Sequence, residues 1–317
     1  MYYDAVALGE VLIDFTPQTG SGVPLYAQNP GGAPLNLLAQ MALLGKKTAF
    51  IGKVGDDGFG IFLRGVMEER GIDTCGLSVS REAHTTLAFV QLDRQGERTF
   101  TFYRDPGADL LLTPADVDAD LLRHSRLFHV GSLSMTAEPA ASATRFALET
   151  ARQADCLISF DPNYRPALWR SETQAVAAMK ELLPLADIVK VSREEMTLLT
   201  GTEDCAAGSA ALLAAGPSLV LVTLGAEGAF YRCTGGCGHA AGYPAETVDT
   251  NGAGDSFFGA ALSRLTGLDR AALRALPPSM AAEITRFANA AGSLTTTGYG
   301  ALTALPTEEA IRWRMQP

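Results

Sequence analysis

Residues Asp249 to Ala260 read DTNGAGDSFFGA: very small residues, a carboxylate, then the start of a helical pattern. Glycines 252 and 254 remove side chains, so consecutive backbone N–H groups can converge on one point, and the helix that follows adds its positive dipole end there. Such a point binds anions. An aspartate would repel an anion unless it served the reaction, so Asp255 reads as a general base beside a phosphate cradle. The competing reading is a glycine turn with Asp255 as a helix cap.

The rest of the chain supplies a scaffold for that cradle. Short apolar runs (AVALG, TAFIGKVG, RLFHVGS, CLISFDPN, DIVKVS, LVLVTLG) alternate with helical patterns (PLNLLAQMALLG, GIFLRGVMEERG, ASATRFALETARQ), which predicts a mostly parallel α/β sheet with helices on its faces. The alternation breaks over residues 76–112, where TTLAFVQLDRQGERTFTFYR shows period-two runs about a turn signal at Arg94–Gly96. An antiparallel insert on an α/β body is a candidate lid. An edge hairpin extending the main sheet is the alternative.

With 317 residues and 47% hydrophobic composition the chain can bury one large core, as one domain plus an insertion or as two domains. A formal net charge of −10 argues against nucleic acid or anionic lipid as the main partner. Asp4 and Glu10 stand where a signal peptide wants basic residues, and no apolar run is long enough to span a bilayer, so the expected location is the cytoplasm. Cys75, Cys156, Cys205, Cys233 and Cys237 are odd in number and scattered, which suits reduced thiols rather than a disulfide framework. CTGGCGH brings Cys233, Cys237 and His239 close, but no fourth zinc ligand is evident and the spacing suits a hairpin tip.

Strand ends in an open α/β sheet are where ligands collect. Asp14 ends the first strand region; Gly31 and Gly32 precede a helix whose first turn carries Asn36, a donor and acceptor for a hydroxyl. DPNYRP puts Asp161, Asn163 and Arg165 at another strand end, where Arg165 could clamp phosphate or make an ordinary salt bridge. Glu195 in VSREEMTLLTG could act on Mg²⁺ through water or complete a capping box with Ser192. LLGKKTAF is no Walker A loop, since the earlier Gly is absent and Lys47 stands where Ser or Thr should follow the lysine. GDDGFG lacks the dinucleotide spacing, so phosphate binding rests on residues 252–255.

The long stretches GGAPLNLLAQMALLGKKTAFIGKVGDDGFG and DTNGAGDSFFGA resemble the two signatures of the ribokinase-like sugar kinases, the phosphofructokinase-B family, with the intermediate pieces in matching order. GEVLIDF, FYRDPGAD, DPNYRPALW, KVSREEMTLLTG and GALTALPT are most similar to fructokinases within it. The resemblance implies a single ribokinase-like domain over residues 1–317, with a small antiparallel β lid inserted from about 12–30 and 76–112. It implies ATP-dependent phosphorylation of the primary hydroxyl of fructose, with 2-keto-3-deoxygluconate kinase as the alternative and a sugar-binding protein without catalysis as a third reading. Asp255 would be the base, with Gly252, Ala253 and Gly254 holding the developing charge and Arg165 near the transferring phosphate. Asp14, Gly31, Gly32 and Asn36 would bind sugar, with Arg104 reaching down from the lid. Thr223, Gly225 and Gly228 would run along the nucleotide, and Asn289 would lie near the adenine. Of the family's Asn-x-x-Glu pattern only Glu195 carries over, for Mg²⁺ through water; Asp249 is the expected anchor of a monovalent cation, K⁺. An exposed apolar lid sheet would call for a partner, a second copy of the chain.

Overall fold

The computed structural model describes residues 2–18, 23, 25–92 and 98–316. Its strands are β1 (Ala5–Leu8), β2 (Leu12–Gln18), β3 (Leu25–Gly31), β4 (Thr48–Gly55), β5 (Ile72–Ser80), β6 (Leu87–Leu92), β7 (Arg98–Tyr103), β8 (Leu127–Gly131), β9 (Leu157–Asp161), β10 (Ile188–Ser192), β11 (Leu219–Thr223), β12 (Gly228–Cys233) and β13 (Gly236–Ala241). Nine of them form one sheet in the order β13-β12-β11-β10-β9-β8-β1-β4-β5, and β3-β2-β6-β7 form a second. From β11 through β5 every neighbouring pair in the large sheet is parallel; β12 runs antiparallel to both β11 and β13 at one edge.

Central parallel strands are buried on both faces, which their unbroken apolar runs require. Because successive side chains point to opposite faces, the runs divide between two cores: Val6, Leu8, Ile158, Phe160, Val189 and Val191 pack into one, and Ala5, Ala7, Leu157, Ile188 and Leu219 into the other. The apolar runs noted in the sequence become β1, β4, β8, β9, β10 and β11, and the helical patterns become the helices Ala33–Leu43, Gly58–Glu69 and Ala140–Gln153.

The small sheet departs from the expectation in two ways. Residues 76–80 belong to β5, paired with β4 at the edge of the large sheet, so the insert begins later, at Leu87. Its central pair, β2 and β6, is parallel, with antiparallel partners β3 and β7 outside. The turn expected at Arg94–Gly96 falls outside the described residues. One face of this sheet carries an aromatic row: Phe15 stacks on Phe89 at 4.8 Å, and Tyr26 and Tyr103 meet Phe89 edge-on at 5.6 and 5.4 Å. The glycine-rich stretch around residue 235 is the tip of the β12–β13 hairpin, with Cys233 buried and Cys237 exposed. Among the described residues no group of three or more His, Cys, Asp or Glu could hold a metal, and no helix is long and apolar enough to cross a membrane.

Candidate active site

The helix Ala253–Ser263 is entered through Gly252, whose φ of 74° lies in the left-handed region. A Cβ at this glycine would overlap the side chain of Ala301, so residue 252 must lack one. No side chain caps the helix, and first-turn N–H groups have no intrahelical acceptor. The N–H of Ala253 makes a turn bond of 3.3 Å to the Thr250 carbonyl; those of Gly254 and Asp255 are the first-turn donors of the cradle. Asp255 sits within that turn and not at the cap, which removes the competing reading.

Its carboxylate accepts a hydrogen bond of 2.8 Å from Asn36 Nδ2. Burial pushes the Asp255 pKa up to about 6, with Asn36 opposing, Asp161 adding to the rise, and Lys190 and Arg165 opposing. A carboxylate poised there is ionised at neutral pH yet a better proton acceptor than an ordinary aspartate.

Three cavities adjoin at this turn. One of about 640 Å³ is lined by Thr223, Gly225, Gly228, Gly254 and Asn289 among others. A central one of about 760 Å³ is lined by Arg165, Lys190, Glu195, Gly254 and Asp255 among others. The third, about 60 Å³, lies under the small sheet against Glu10, Asp14, Gly32, Asn36, Arg165 and Asp255. Gly254 borders the first two and Asp255 the last two. A long ligand in the first two cavities therefore presents its end to a small ligand in the third, with Asp255 at the junction.

On the third cavity's wall, Asn36 is buried and its Oδ1 has no hydrogen-bond partner. A buried acceptor left unpaired is costly, and a ligand hydroxyl would satisfy it. Asp14 projects from β2, and burial raises its pKa to about 6 against a hydrogen bond from the Asn251 side chain. A Cβ at Gly31 would overlap the Asp14 carboxylate, and one at Gly32, where φ is 117°, would press on the Glu10 carbonyl. The glycine pair thus lets the strand carrying Asp14 lie against the start of the Asn36 helix.

Other residues are placed differently from expectation. Arg104 does not line the third cavity. Its Nε and Nη2 donate to Asp109 Oδ2 at 2.8 and 2.6 Å, Nη2 also to the Leu133 carbonyl at 3.0 Å, and Nη1 to Thr136 Oγ1 at 3.1 Å. A guanidinium so engaged pins the end of β7 to the body instead of reaching for sugar. Asn289 does line the first cavity, but its Nδ2 donates to the carbonyls of Ala240 and Ala241 at 2.9 and 3.1 Å. Its amide hydrogens hold β13 and do not face a base. Glu195 completes the capping box with Ser192, and its two oxygens accept from the backbone N–H groups of Tyr164 and Ser192 at 2.7 and 2.8 Å while the residue lines the central cavity. Asp249 accepts from the N–H groups of Asn251 and Gly300 at 2.8 and 3.1 Å, tying the cradle loop to the loop after the helix Pro278–Thr295.

Two residues escaped the sequence reading. Lys190, on β10, is buried, lines the central cavity and pairs with Asp161 Oδ2 at 2.9 Å. A Cβ added at Gly254 would stand 3.1 Å from its Nζ. Burial works against its charge, but Asp161, Glu195 and Asp255 outweigh that and raise its pKa. A lysine inside the apolar run DIVKVS was the available signal, since lysine is almost never fully buried without a partner. Glu10 is buried on the wall of the third cavity, accepts from the Ala33 N–H at 3.2 Å, and is pushed by burial to a pKa of about 7.

The family model described as "pfkB family carbohydrate kinase" matches residues 4–308. The chain is 44% identical over 308 residues to fructokinase-2 of Solanum lycopersicum, covering 95% of this chain and 93% of that protein. Among solved structures, fructokinase with bound ATP from Xylella fastidiosa superposes with a TM-score of 0.91 at 34% identity, covering 99% of this chain and 98% of the other. Fructokinase from Vibrio cholerae O395, in its fructose, ADP and calcium ion bound form, gives 0.89 at 33% identity, covering 98% and 99%. With a match along almost its whole length and an uncapped helix presenting Asp255 between two ligand cavities, this chain belongs to the pfkB family of carbohydrate kinases.

Proposed function

We propose that this chain transfers the γ-phosphoryl group of ATP to the primary hydroxyl of fructose, giving fructose 6-phosphate and ADP. The observation that carries the proposal is the position of Asp255: a buried carboxylate with a raised pKa, at the seam of the central and third cavities, in the first turn of an uncapped helix. Asp255 takes the proton of the sugar hydroxyl as its oxygen attacks the γ-phosphorus. The bond from that phosphorus to the β–γ bridging oxygen breaks, and the N–H groups of Gly254 and Asp255, with Arg165, stabilise the charge on the equatorial oxygens. Asn36, through its unsatisfied Oδ1, and Asp14 accept sugar hydroxyls.

Mg²⁺ with ATP suits the donor set. Glu195 lines the central cavity with Glu172, Glu194 and Asp255 but is already committed to two N–H groups, so the ion would rest on phosphates and water with Glu195 contacting it through water. When bound, it neutralises charge on the β- and γ-phosphates. K⁺ would sit by Asp249 and the adjoining backbone carbonyls; equal rates in potassium and in a bulky organic cation would remove that part. The aromatic row on the small sheet, with Tyr26 and Tyr103 44% and 64% exposed, suits a second copy of the chain, and sedimentation at micromolar concentration tests it. All five cysteines are free, which fits the reducing cytoplasm as the place of action.

An acidic sugar is disfavoured because Glu10 and Asp14 both line the third cavity while the Arg104 guanidinium is engaged elsewhere. Initial rates with ATP and a panel containing fructose and 2-keto-3-deoxygluconate test the proposal. A higher kcat/KM for fructose is expected; a preference for the acid sugar would overturn the substrate, and no transfer to any sugar would overturn the kinase.

A further inference from the structure

We infer that Glu10 is a further sugar ligand, its carboxylate accepting the 1-hydroxyl of the ketohexose and so selecting for sugars that carry the C1 hydroxymethyl group. The inference rests on the kinase reading above, which puts the reacting 6-hydroxyl at Asp255. Asn163, Arg165, Asn251 and Asp255 line both the central and the third cavity, and so mark the junction where phosphorus meets sugar. Glu10, Leu12, Asp14 and Ala33 line the third cavity and neither of the other two, which puts them at its inner part, away from that junction. A sugar with its 6-hydroxyl at the junction turns its opposite end, which carries C1, towards them.

A purely structural role competes with this one. Gly32 gives the helix Ala33–Leu43 no side-chain cap, and Glu10 Oε1 accepts the Ala33 N–H at 3.2 Å, so the carboxylate caps that helix from outside. The cap does not exhaust the group. Among the described residues the Ala33 N–H is the one donor that another residue gives it, its own backbone N–H adds a second, and an ionised carboxylate has about four acceptor sites. The residue is only 4% exposed. Burial pushes its pKa up to about 7 against both N–H groups and Arg104, with Asp109 adding to the rise. The ionised form is thus held at a cost, which a hydroxyl donated from within the cavity would offset.

The test is a cycle between protein and sugar, using the full-length chain with saturating ATP and Mg²⁺. Initial rates give kcat/KM for fructose and for 1-deoxyfructose in the wild type and in Glu10→Ala. The wild type is expected to favour fructose by about tenfold to hundredfold, the worth of a hydrogen bond to a charged group. In Glu10→Ala the two sugars should come within about twofold of each other, the tolerance of independent effects, while the KM for ATP stays put. Glu10→Gln keeps an oxygen for the Ala33 N–H, and so the cap, but a neutral amide holds a hydroxyl less strongly than a carboxylate. It should narrow the same ratio, and it decides the matter if Glu10→Ala does not fold. A cap and nothing more would lower both sugars by one factor and leave the ratio at its wild-type value, which overturns the inference, as do equal values for the two sugars in the wild type. No transfer to fructose in the wild type would overturn the kinase reading itself, and the inference with it.

Discussion

Asn36 Nδ2 and Asp255 Oδ2 meet at 2.8 Å although 219 positions separate them in the chain. The bond joins the first turn of the helix Ala33–Leu43 to the first turn of the helix Ala253–Ser263, and so fixes the Asn36 amide against the Asp255 carboxylate. It leaves Asn36 Oδ1 a buried acceptor without a partner.

Asp255→Asn keeps the acceptor for Asn36 and removes the base. Turnover is expected to fall by about 10²–10⁴. Stability at pH 8 is expected to hold or rise: the folded-state pKa, about 6, lies above the unfolded value, so the ionised wild-type group costs stability as pH climbs through 6. Parallel kcat measurements and thermal melts at pH 8 check both halves, and near-normal turnover would remove Asp255 as the base.

In the wild type, kcat/KM is expected to fall about tenfold per pH unit below about 6, as the base becomes protonated, and to level off above it. Lys190→Met removes a positive charge that holds the Asp255 pKa down, so the acid limb should move to higher pH. The same change leaves Asp161 buried without its cation, a loss on the order of 3–5 kcal/mol. An acid limb that stays in place in the pH–rate profile would show that Lys190 acts on the fold alone.

Gly31→Ala inserts a methyl group into the space of the Asp14 carboxylate. Displacing a charged hydrogen-bonding group from the sugar should cost about 1.5–3 kcal/mol, tenfold or more in the fructose KM. The KM for ATP should not move, because Gly31 lines neither of the nucleotide-side cavities. Equal changes in both constants would contradict Asp14 as a sugar ligand.

Arg104→Ala leaves the buried Asp109 without its cation and cuts the tie from β7 to Leu133 and Thr136. Destabilisation of about 3–5 kcal/mol is expected in urea unfolding, part of it recovered by adding Asp109→Asn. A sugar ligand would behave otherwise, raising the fructose KM at unchanged stability.

Much of the fold was legible because its signals are local. Apolar runs such as CLISF and LVLVT can bury both faces only inside a parallel sheet, and the helices between them follow from period. The uncapped turn that carries Asp255 was legible for the same reason: the left-handed glycine, the small residues and the carboxylate are contiguous, so its geometry is written within one turn of chain. The pairing of β5 was not, since a period-two run does not say which sheet it joins, and residues 76–80 took their place beside β4.

What remained hidden depends on partners far away in sequence. Arg104 and Asn289 were expected at ligands from the family resemblance, but whether a donor faces a cavity or is already taken is decided by the neighbours that folding brings, Leu133 and Thr136 for one and the β13 carbonyls for the other. Lys190 carries the reverse lesson. Alone it is an awkward charge in a strand; set against Asp161, Glu195 and Asp255 it becomes a buried cation at the phosphate side of the site. Backbone preference and hydrophobic period act over a few residues and are fixed by the chain itself, whereas hydrogen-bond satisfaction and charge compensation sum over everything within a few ångströms, which only the tertiary structure assembles.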